Sequence, residues 1–493
     1  MGRSAGAGFS SYRRSSGRAR GGDGAEQCHL AGAMLIRRAE IDRQTLADVR
    51  IEGGRIVAVG QLAPGGDERV IDAAGGALLP GLHDHHIHCA ALAVARVSVA
   101  CGPPDVLDED GLVAALARPG DGWLRGIGYH ESVAGMLDAR RLDRWTGTRP
   151  VRVQHRSGRM WFLNSAAMAL LQGDGPVPPG LDRASGQLFD ADPWLRDRLG
   201  SVPPDFTAIG AELAAMGVTG VTDMSPANDE AMAAHFAAEH GAGRLPQRVV
   251  LAGTLGLTDT PPLPGIMIGP AKLHLHEQAL PDLDDCVAFL RGGHVRGRVA
   301  AIHCTTQTEL VFALAALDEA GVMCGDRIEH AGVTPDTLLA DIARMGLHTV
   351  SQPHFIAERG DRYLADVDAR DRPFLYRLGA FMRAGVVLAG GSDAPFGSAD
   401  PWAAMRAAVS RRTAAGALVG VDEALTPEQA RDLFLADPVD LSRIRQVAVG
   451  ATADLCLLDR GWGEARNRLD AGDVRLTMIG GSIVHECVDQ APV

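Results

Sequence analysis

The chain has 493 residues, of which 46% are hydrophobic and 22% charged, and its formal net charge is −13. This composition is typical of a globular protein large enough for one big domain and a smaller one, and its acidity argues against a nucleic-acid-binding surface. Its apolar runs are shorter than the roughly 18 residues that a membrane span requires. Eight scattered cysteines, without a CxxC pair or a secretory signal, indicate a reducing cytoplasm.

The first segment, residues 1–33, is rich in Arg, Ser and Gly and has no apolar periodicity, so we predict a disordered tail. Arg13 and Arg14 are reminiscent of a twin-arginine export signal. The polar stretch that follows them lacks the apolar run of such a signal. We therefore expect the folded chain to begin near Met34.

Both ends of the folded chain have the pattern of short strands and tight turns. Residues 47–60 read as a hairpin that turns at Gly53-Gly54, and a second hairpin is predicted over residues 474–485. Residues 447–459 are strand-like as well. We predict that residues 34–80 and 440–493 form one small β-sandwich domain built from both chain ends.

Between these ends, strands alternate with helices, which is typical of parallel βα units. The length of residues 81–439 suits a (β/α)₈ TIM-like barrel with insertions. A doubly wound open sheet is the alternative, although no GxGxxG or Walker loop supports it. Seven strands are predicted here: 218–224, 248–255, 266–275, 298–304, 327–330, 348–352 and 386–391.

Lys272 is the single lysine among 48 basic residues. A chain that uses Arg wherever a positive charge suffices has kept an amine at this position. A desolvated lysine can lose its proton, whereas arginine stays protonated. The neutral amine could form a Schiff base, or add carbon dioxide to give a carbamate that binds metals. A surface residue retained by chance is the remaining interpretation.

Several polar residues lie at the carboxyl ends of predicted strands, the face on which barrel enzymes carry their active sites. His86 and His88 are two residues apart, so on a strand they point the same way and can share one metal ion. His83 and His85 point the opposite way, and we expect them to be structural and hydrogen-bonded. The complete set is His86, His88, Lys272, His303, His330 and Asp393.

These motifs resemble those of the amidohydrolase superfamily, and within it amidohydrolase family 3. Residues 80–88 are similar to the family's Pro-Gly-aliphatic-aliphatic-Asp-x-His-x-His, except that His83 replaces an aliphatic residue. The Lys272 strand departs from the family, because it continues through His274 and His276 to Glu277 where the family usually has an Asp-Gly-Ser-like turn. Further similar segments are residues 122–128, 149–153, 161–167, 327–331, 391–395 and 450–455.

The resemblance implies a metal centre and roles for its ligands. His86 and His88 would bind one zinc-like ion, and a Lys272 carbamate would bridge to a second ion held by His303 and His330. Asp393 would touch a metal and carry the proton. The implied reaction is hydrolysis of a non-peptide C–N bond, in an amide, N-acyl or cyclic amide, by a metal-held hydroxide. A mononuclear centre remains open, because His274 or His276 could be an alternative ligand.

Other functions also remain possible at this point. A deaminase or lactonase could use the same centre, the fold could be a non-catalytic small-molecule-binding barrel, or Lys272 could form a Schiff base. The expected partner is a small-molecule substrate, with no nucleic acid and no membrane, and the resemblance adds a possible homodimer. The candidate substrate-binding residues are Arg159, Trp161, His130, His276 and His354.

Overall fold

The structure is a computed structural model that describes residues 32–41, 45–103, 105–120, 122–171, 176–200 and 203–487. Most of the predicted disordered tail, residues 1–31, lies outside the described residues. Within the described part of the chain, no helix is both long and apolar enough to cross a membrane.

The described chain opens with a four-stranded sheet in the order β3-β2-β1-β4. β2 and β3 form the predicted hairpin, with Gly53 and Gly54 at its turn in the positive-φ region that glycine adopts without strain. β5 leaves this sheet and pairs with a strand from the far end of the chain. The strands are β1 (Met34–Ile41), β2 (Thr45–Glu52), β3 (Arg55–Gly60), β4 (Arg69–Asp72) and β5 (Leu78–Pro80).

The next strand, β6 (Leu82–Ile87), is the first of the barrel and leads into α1 (Cys89–Arg96). A long insertion then forms a separate six-stranded sheet in the order β11-β12-β10-β9-β8-β7. Its elements are β7 (Val99–Ala100), α2 (Glu109–Leu116), β8 (Leu124–Tyr129), α3 (Glu131–Ala134), α4 (Ala139–Thr146), β9 (Val151–His155), β10 (Met160–Leu163), α5 (Ser165–Leu170), β11 (Leu181–Asp182), β12 (Gln187–Phe189) and α6 (Asp192–Leu199).

The barrel resumes after this insertion, and its eight strands are all parallel in the order β6-β13-β14-β15-β16-β17-β18-β19. Its elements are α7 (Thr207–Ala215), β13 (Val218–Asp223), α8 (Glu230–Gly241), β14 (Arg248–Gly253), β15 (Ile266–His274), α9 (Leu283–Val295), β16 (Ala300–Cys304), α10 (Gln307–Ala320), β17 (Arg327–His330), α11 (Asp336–Met345), β18 (His348–Ser351), α12 (Phe355–Asp366), α13 (Leu378–Arg383), β19 (Leu388–Gly390), α14 (Pro401–Ser410) and α15 (Pro427–Asp432).

Backbone hydrogen bonds next to β19 and β6 close the barrel. Asp393 N donates to His86 O at 2.6 Å, and His88 N donates to Ala394 O at 2.9 Å. This closure confirms the predicted (β/α)₈ barrel and makes the doubly wound alternative wrong. All seven predicted barrel strands are present, with ends that differ by at most two residues.

The chain then returns to the small domain through β20 (Leu455–Leu458), α16 (Trp462–Ala465), β21 (Val474–Ile479) and β22 (Ser482–Glu486). These strands form a second four-stranded sheet, β22-β21-β20-β5. Ile36 and Val49 of the first sheet share one buried core with Leu455 and Leu476 of the second. This agrees with a β-sandwich made from both chain ends, while the domain limits at residues 80 and 440 stay a prediction.

Local sequence explains how the βα units begin and end. Thr306 caps α10 by accepting from Glu309 N, and the Glu309 side chain reaches back to Thr306 N, which is the predicted capping box. Between α7 and β13, Gly217 has φ +80 and its missing side chain leaves room for Cys456 Sγ. Any other residue there would meet that sulfur and adopt a strained backbone conformation.

Candidate metal centre

The barrel's carboxyl end holds a cavity of about 610 Å³. All six predicted metal-site residues line it: His86, His88, Lys272, His303, His330 and Asp393. They come from β6, β15, β16, β17 and β19 or from the positions just after these strands. The structure therefore gathers into one site residues that are spread over more than 300 positions of the sequence.

The tightest group at the cavity floor is formed by His86, His88 and Asp393. Ligand atoms of these three residues all lie within 4.8 Å of one another. Asp393 Oδ1 is 3.1 Å from His88 Nε2 and 3.3 Å from His86 Nε2. Two imidazole nitrogens and one carboxylate oxygen at this spacing are a suitable start for a divalent transition-metal site.

Each of these histidine rings is held in place by a contact at Nδ1, the ring nitrogen that points away from the Asp393 carboxylate. His86 Nδ1 lies 2.5 Å from Glu329 Oε2, and His88 Nδ1 lies 3.0 Å from Ser225 Oγ. In the same way His330 Nδ1 lies 2.7 Å from the amide oxygen of Gln352. Metal-binding histidines typically donate the other ring N–H to such a partner, which fixes the ring and leaves Nε2 for the ion.

Glu329 is itself held in place by a second charge. Its Oε1 lies 2.6 Å from Arg327 Nε, and both side chains are buried. Burial would raise the pKa of Glu329, but the nearby Arg327 and His86 charges hold that pKa far below its usual range. A permanently ionised carboxylate behind His86 makes its imidazole a better ligand.

Lys272 is buried beside these residues, and its Nζ has no hydrogen-bond partner within the described part of the chain. Burial lowers its pKa to about 8 against the raising effect of Glu329. A buried ammonium without a partner is costly. This position therefore favours either the neutral amine or a group that would pair with a cation.

A row of imidazoles continues from the floor along one wall. The ring centroids are 4.8 Å apart for His86 and His330, 4.4 Å for His330 and His303, 4.1 Å for His303 and His274, and 4.4 Å for His274 and His276. Burial lowers the pKa of His330 to about 3, with the neighbouring charges of His86 and Lys272 contributing. Neutral imidazoles of this kind are the form that binds metals.

Two of the site residues have backbones in the left-handed region, which is unusual for residues other than glycine. The φ angle is +70 at His330 and +53 at Asp393. Such conformations cost free energy and are concentrated at functional sites. They turn both side chains toward the cavity just where strands β17 and β19 end.

Among the predicted substrate-binding residues, His276 lines the cavity and the other four do not. Arg159 forms a two-point ion pair with Asp190 in an exposed position, and Trp161 is buried with Nε1 donating to Asp192. Partners within the insertion hold both side chains, and neither residue is among those that line the cavity, so their role in substrate binding stays a prediction.

His130 and His354 form contacts of their own and are not among the residues that line the cavity. His130 caps α3 by accepting from Ser132 N, and His354 is buried with Nε2 bonded to Ser392 O at 2.9 Å. His83 has the predicted hydrogen bond, 2.9 Å to Thr222 Oγ1. The buried His85 ring has no such partner among the described residues, so that expectation was wrong.

The sequence interpretation missed a second wall of the cavity, which contains no histidine. This wall is apolar and aromatic, and the guanidinium of Arg359 packs 3.9 Å above the ring of Phe355. From the insertion, Arg156, Ser157 and Gly158 line the cavity, just before Arg159. The remaining residues of this wall are Val333, Tyr363, Val367, Leu375, Tyr376 and Phe396. They lie after strands β17 to β19 without a metal-ligand motif, so only the fold reveals them.

The residues present fit a metal centre. The Nδ1 atoms of His86, His88 and His330 each have a partner. The Nε2 atoms of His86 and His88 both lie within 3.3 Å of the Asp393 carboxylate, so these three groups converge on one point. Lys272 Nζ is buried in the same cavity and has no partner among the described residues. Nitrogen and oxygen donors in this combination suit zinc or a similar divalent ion.

Comparison with known proteins gives one family and several relatives. The model of the amidohydrolase family matches residues 69–485. N-substituted formamide deformylase of Arthrobacter pascens is 25% identical over 86% of this chain and 92% of its own length. The putative amidohydrolase YtcJ of Bacillus subtilis (strain 168) is 26% identical over 40% of this chain and 39% of its own.

Among solved structures, an uncharacterized metal-dependent hydrolase from Pyrococcus furiosus has the same fold. Its TM-score is 0.71 at 20% sequence identity, and the match covers 87% of this chain and 99% of that one.

Proposed function

The chain belongs to the amidohydrolase family and is a metal-dependent hydrolase of C–N bonds, and we propose that its substrate is a small N-formyl or N-acyl amine. The observation that carries this proposal is the group of His86, His88 and Asp393 at the floor of the cavity, beside the buried Lys272. The formamide specificity is suggested by the deformylase relative, whose length the chain matches almost completely.

We further propose that the centre holds zinc and that Lys272 is carboxylated. His86 and His88 would hold one ion, His303 and His330 the other, and a Lys272 carbamate would supply one oxygen to each. When bound, such ions acidify a water molecule and polarise the substrate carbonyl. The support from the fold is that Lys272 Nζ is buried, faces the same cavity and lacks a protein partner among the described residues.

The proton transfers fall to Asp393. Its side chain is 10% exposed and lines the cavity. In the proposed reaction its carboxylate accepts the proton of the attacking water as the C–O bond forms. It then donates that proton to the leaving nitrogen as the C–N bond breaks, so a carboxylic acid and an amine result.

The two walls of the cavity would bind different parts of the substrate. The histidine wall, which ends at His274 and His276, offers ring nitrogens for hydrogen bonds to the polar end of the substrate. The second wall, which includes Phe355, Tyr376 and Phe396, would take the apolar substituent and exclude water from the reacting bond. Arg156 at the exposed edge would contact the part of the substrate nearest to solvent.

The experiment that tests this function combines metal analysis with an activity panel. Protein purified without chelator should carry two zinc-like ions per chain by elemental analysis, and it should release amine from simple N-formyl amines. Lys272→Arg should lose both, because a guanidinium cannot form the carbamate. Arg159→Ala, an exposed residue outside the cavity, serves as the control and should keep both.

The result that would overturn the proposal is a protein that contains no metal even after reconstitution with zinc and bicarbonate. A fully active Lys272→Arg variant would be compatible with the hydrolase assignment but would contradict the proposed carbamate.

A further inference from the structure

A second hollow of about 730 Å³ lies on the surface next to the metal cavity. It runs between α9 and α10 and the segment that follows α12, and we call it the outer groove. Its floor is formed by apolar side chains: Leu280, Leu283, Val311, Phe312 and Ala315. The polar residues Glu277, Arg370 and Asp371 are also among those that line it.

The helix beneath the outer groove is apolar on two faces. Leu310, Leu314 and Leu317 of α10 are buried against the barrel, as expected for its inner face. Val311 and Ala315, on the outer side of the same helix, are exposed, and Val311 is 49% accessible. Together with Leu280, Leu283 and Phe312 they make one contiguous apolar lining. A contiguous apolar patch of this kind can mark a binding surface.

The outer groove borders the metal cavity. Thr306, Val333 and Val367 line both spaces and therefore lie at the boundary between them. Val333 and Val367 also pack against the cluster that contains Phe355, Leu375 and Tyr376. Apolar side chains therefore occur on both sides of this boundary, in the aromatic wall of the cavity and at Val311 and Ala315 of the groove.

We propose that the outer groove binds the distal part of an extended unbranched alkyl chain on the substrate amine, so that the preferred substrates are N-formyl derivatives of medium-length alkylamines. This inference rests on the proposed function of the metal centre. The cavity holds the amide and the first carbons, and the later carbons pass between Val333 and Val367 into the groove. Each methylene group that becomes buried raises affinity by up to about fourfold.

The test is steady-state kinetics on the N-formyl derivatives of methylamine, butylamine and octylamine. For the unaltered enzyme, kcat/KM should rise by about a hundredfold from methyl to octyl, mainly through a lower KM. Ala315→Trp fills the groove from an exposed helix position. It should lower kcat/KM for the octyl substrate by about tenfold and leave the methyl substrate unchanged.

The matched control is Ala288→Trp, at an exposed alanine of the neighbouring helix α9 that is not among the residues lining the groove. This variant should leave kcat/KM unchanged for both the methyl and the octyl substrate. If the octyl substrate is no better than the methyl one, or if Ala315→Trp affects both equally, the groove has no role in binding the chain.

A binding measurement separates failure of this inference from failure of the proposed function. Octylamine, the amine product, should bind the metal-loaded protein in calorimetry, and Ala315→Trp should weaken that binding by about tenfold. If no formamide is hydrolysed but this pattern holds, the proposed function fails and the groove assignment stands. Octylamine that binds the two proteins equally would overturn the groove assignment whatever the activity.

Discussion

Asp393 combines three features: a left-handed backbone, near-complete burial, and contacts with two histidines. Burial would raise the pKa of this carboxyl, but hydrogen bonds from His86 and His88 outweigh it and hold the pKa well below its usual range. The side chain is therefore ionised before the reaction and available to accept a proton.

Asp393→Asn should accordingly keep most of the metal and lose turnover. The amide has nearly the same shape and retains an oxygen donor, but it cannot accept the proton, so kcat should fall by about a thousandfold. Elemental analysis and kcat measured on the same preparation check both halves. Asp190→Asn, which alters only the exposed partner of Arg159, should behave like the unaltered enzyme. Unchanged turnover in Asp393→Asn would contradict the proposal that this residue transfers the proton.

Single residues could be predicted where their own neighbours in the sequence carried the information. The alternation around His86 and His88 predicted that their side chains point the same way. Lys272 could be singled out because it is the single lysine in the chain. Glu329 could not be assigned as the partner of His86, because the two are 243 positions apart and meet only when the barrel closes. For the same reason the ion pair with Asp190, which takes Arg159 out of the cavity, was invisible in the sequence.

At the scale of elements, the ends of strands β6 and β19 are interlocked around Gly391. A side chain there would place its Cβ 2.6 Å from His86 N and 2.5 Å from His86 Cβ, which is closer than real atoms approach. The backbone of the Asp393 turn therefore lies directly against the strand that carries His86 and His88. The spacing of ligands from two different elements depends on this contact.

Gly391→Ala should push these two elements apart. We expect a loss of stability of about 2 kcal/mol or more, from overpacking, together with weaker metal binding, because His86 and Asp393 move relative to each other. Chemical denaturation and metal titration measure the two effects. The control is Gly463→Ala, in the exposed part of α16, where an added Cβ meets no atom within 4 Å. Wild-type metal affinity in Gly391→Ala would contradict this argument.

At the scale of the whole molecule, periodicity predicted the architecture well because each barrel strand and helix is a local pattern. What it could not predict is how the last residues of the chain attach to the barrel. Glu428 in the first turn of α15 accepts hydrogen bonds from Trp462 Nε1 at 2.9 Å and from Arg466 Nε at 2.8 Å. These two partners belong to the returning chain end, so one carboxylate joins the two parts of the protein.

The same carboxylate predicts a pH dependence of stability. Burial would raise the pKa of Glu428, but the bonds from Arg466 and Trp462 outweigh it and lower the pKa from its ordinary 4.5 to about 2. Because the folded-state pKa is the lower one, the stabilisation is present above pH 4.5 and is lost as pH falls toward 2.

Glu428→Gln should thus cost about 1 kcal/mol of unfolding free energy at pH 7, a figure reduced for solvent screening of this partly exposed pair. The gap between the two proteins should narrow steadily below pH 4.5, because the unaltered protein loses the same interaction on protonation. Urea denaturation at several pH values measures this difference in unfolding free energy. The control is Glu464→Gln, at an exposed glutamate of α16, which should unfold with the same free energy as the unaltered protein. A gap that stays constant from pH 7 down to pH 3 would mean that the charge of Glu428 does not hold the chain end to the barrel.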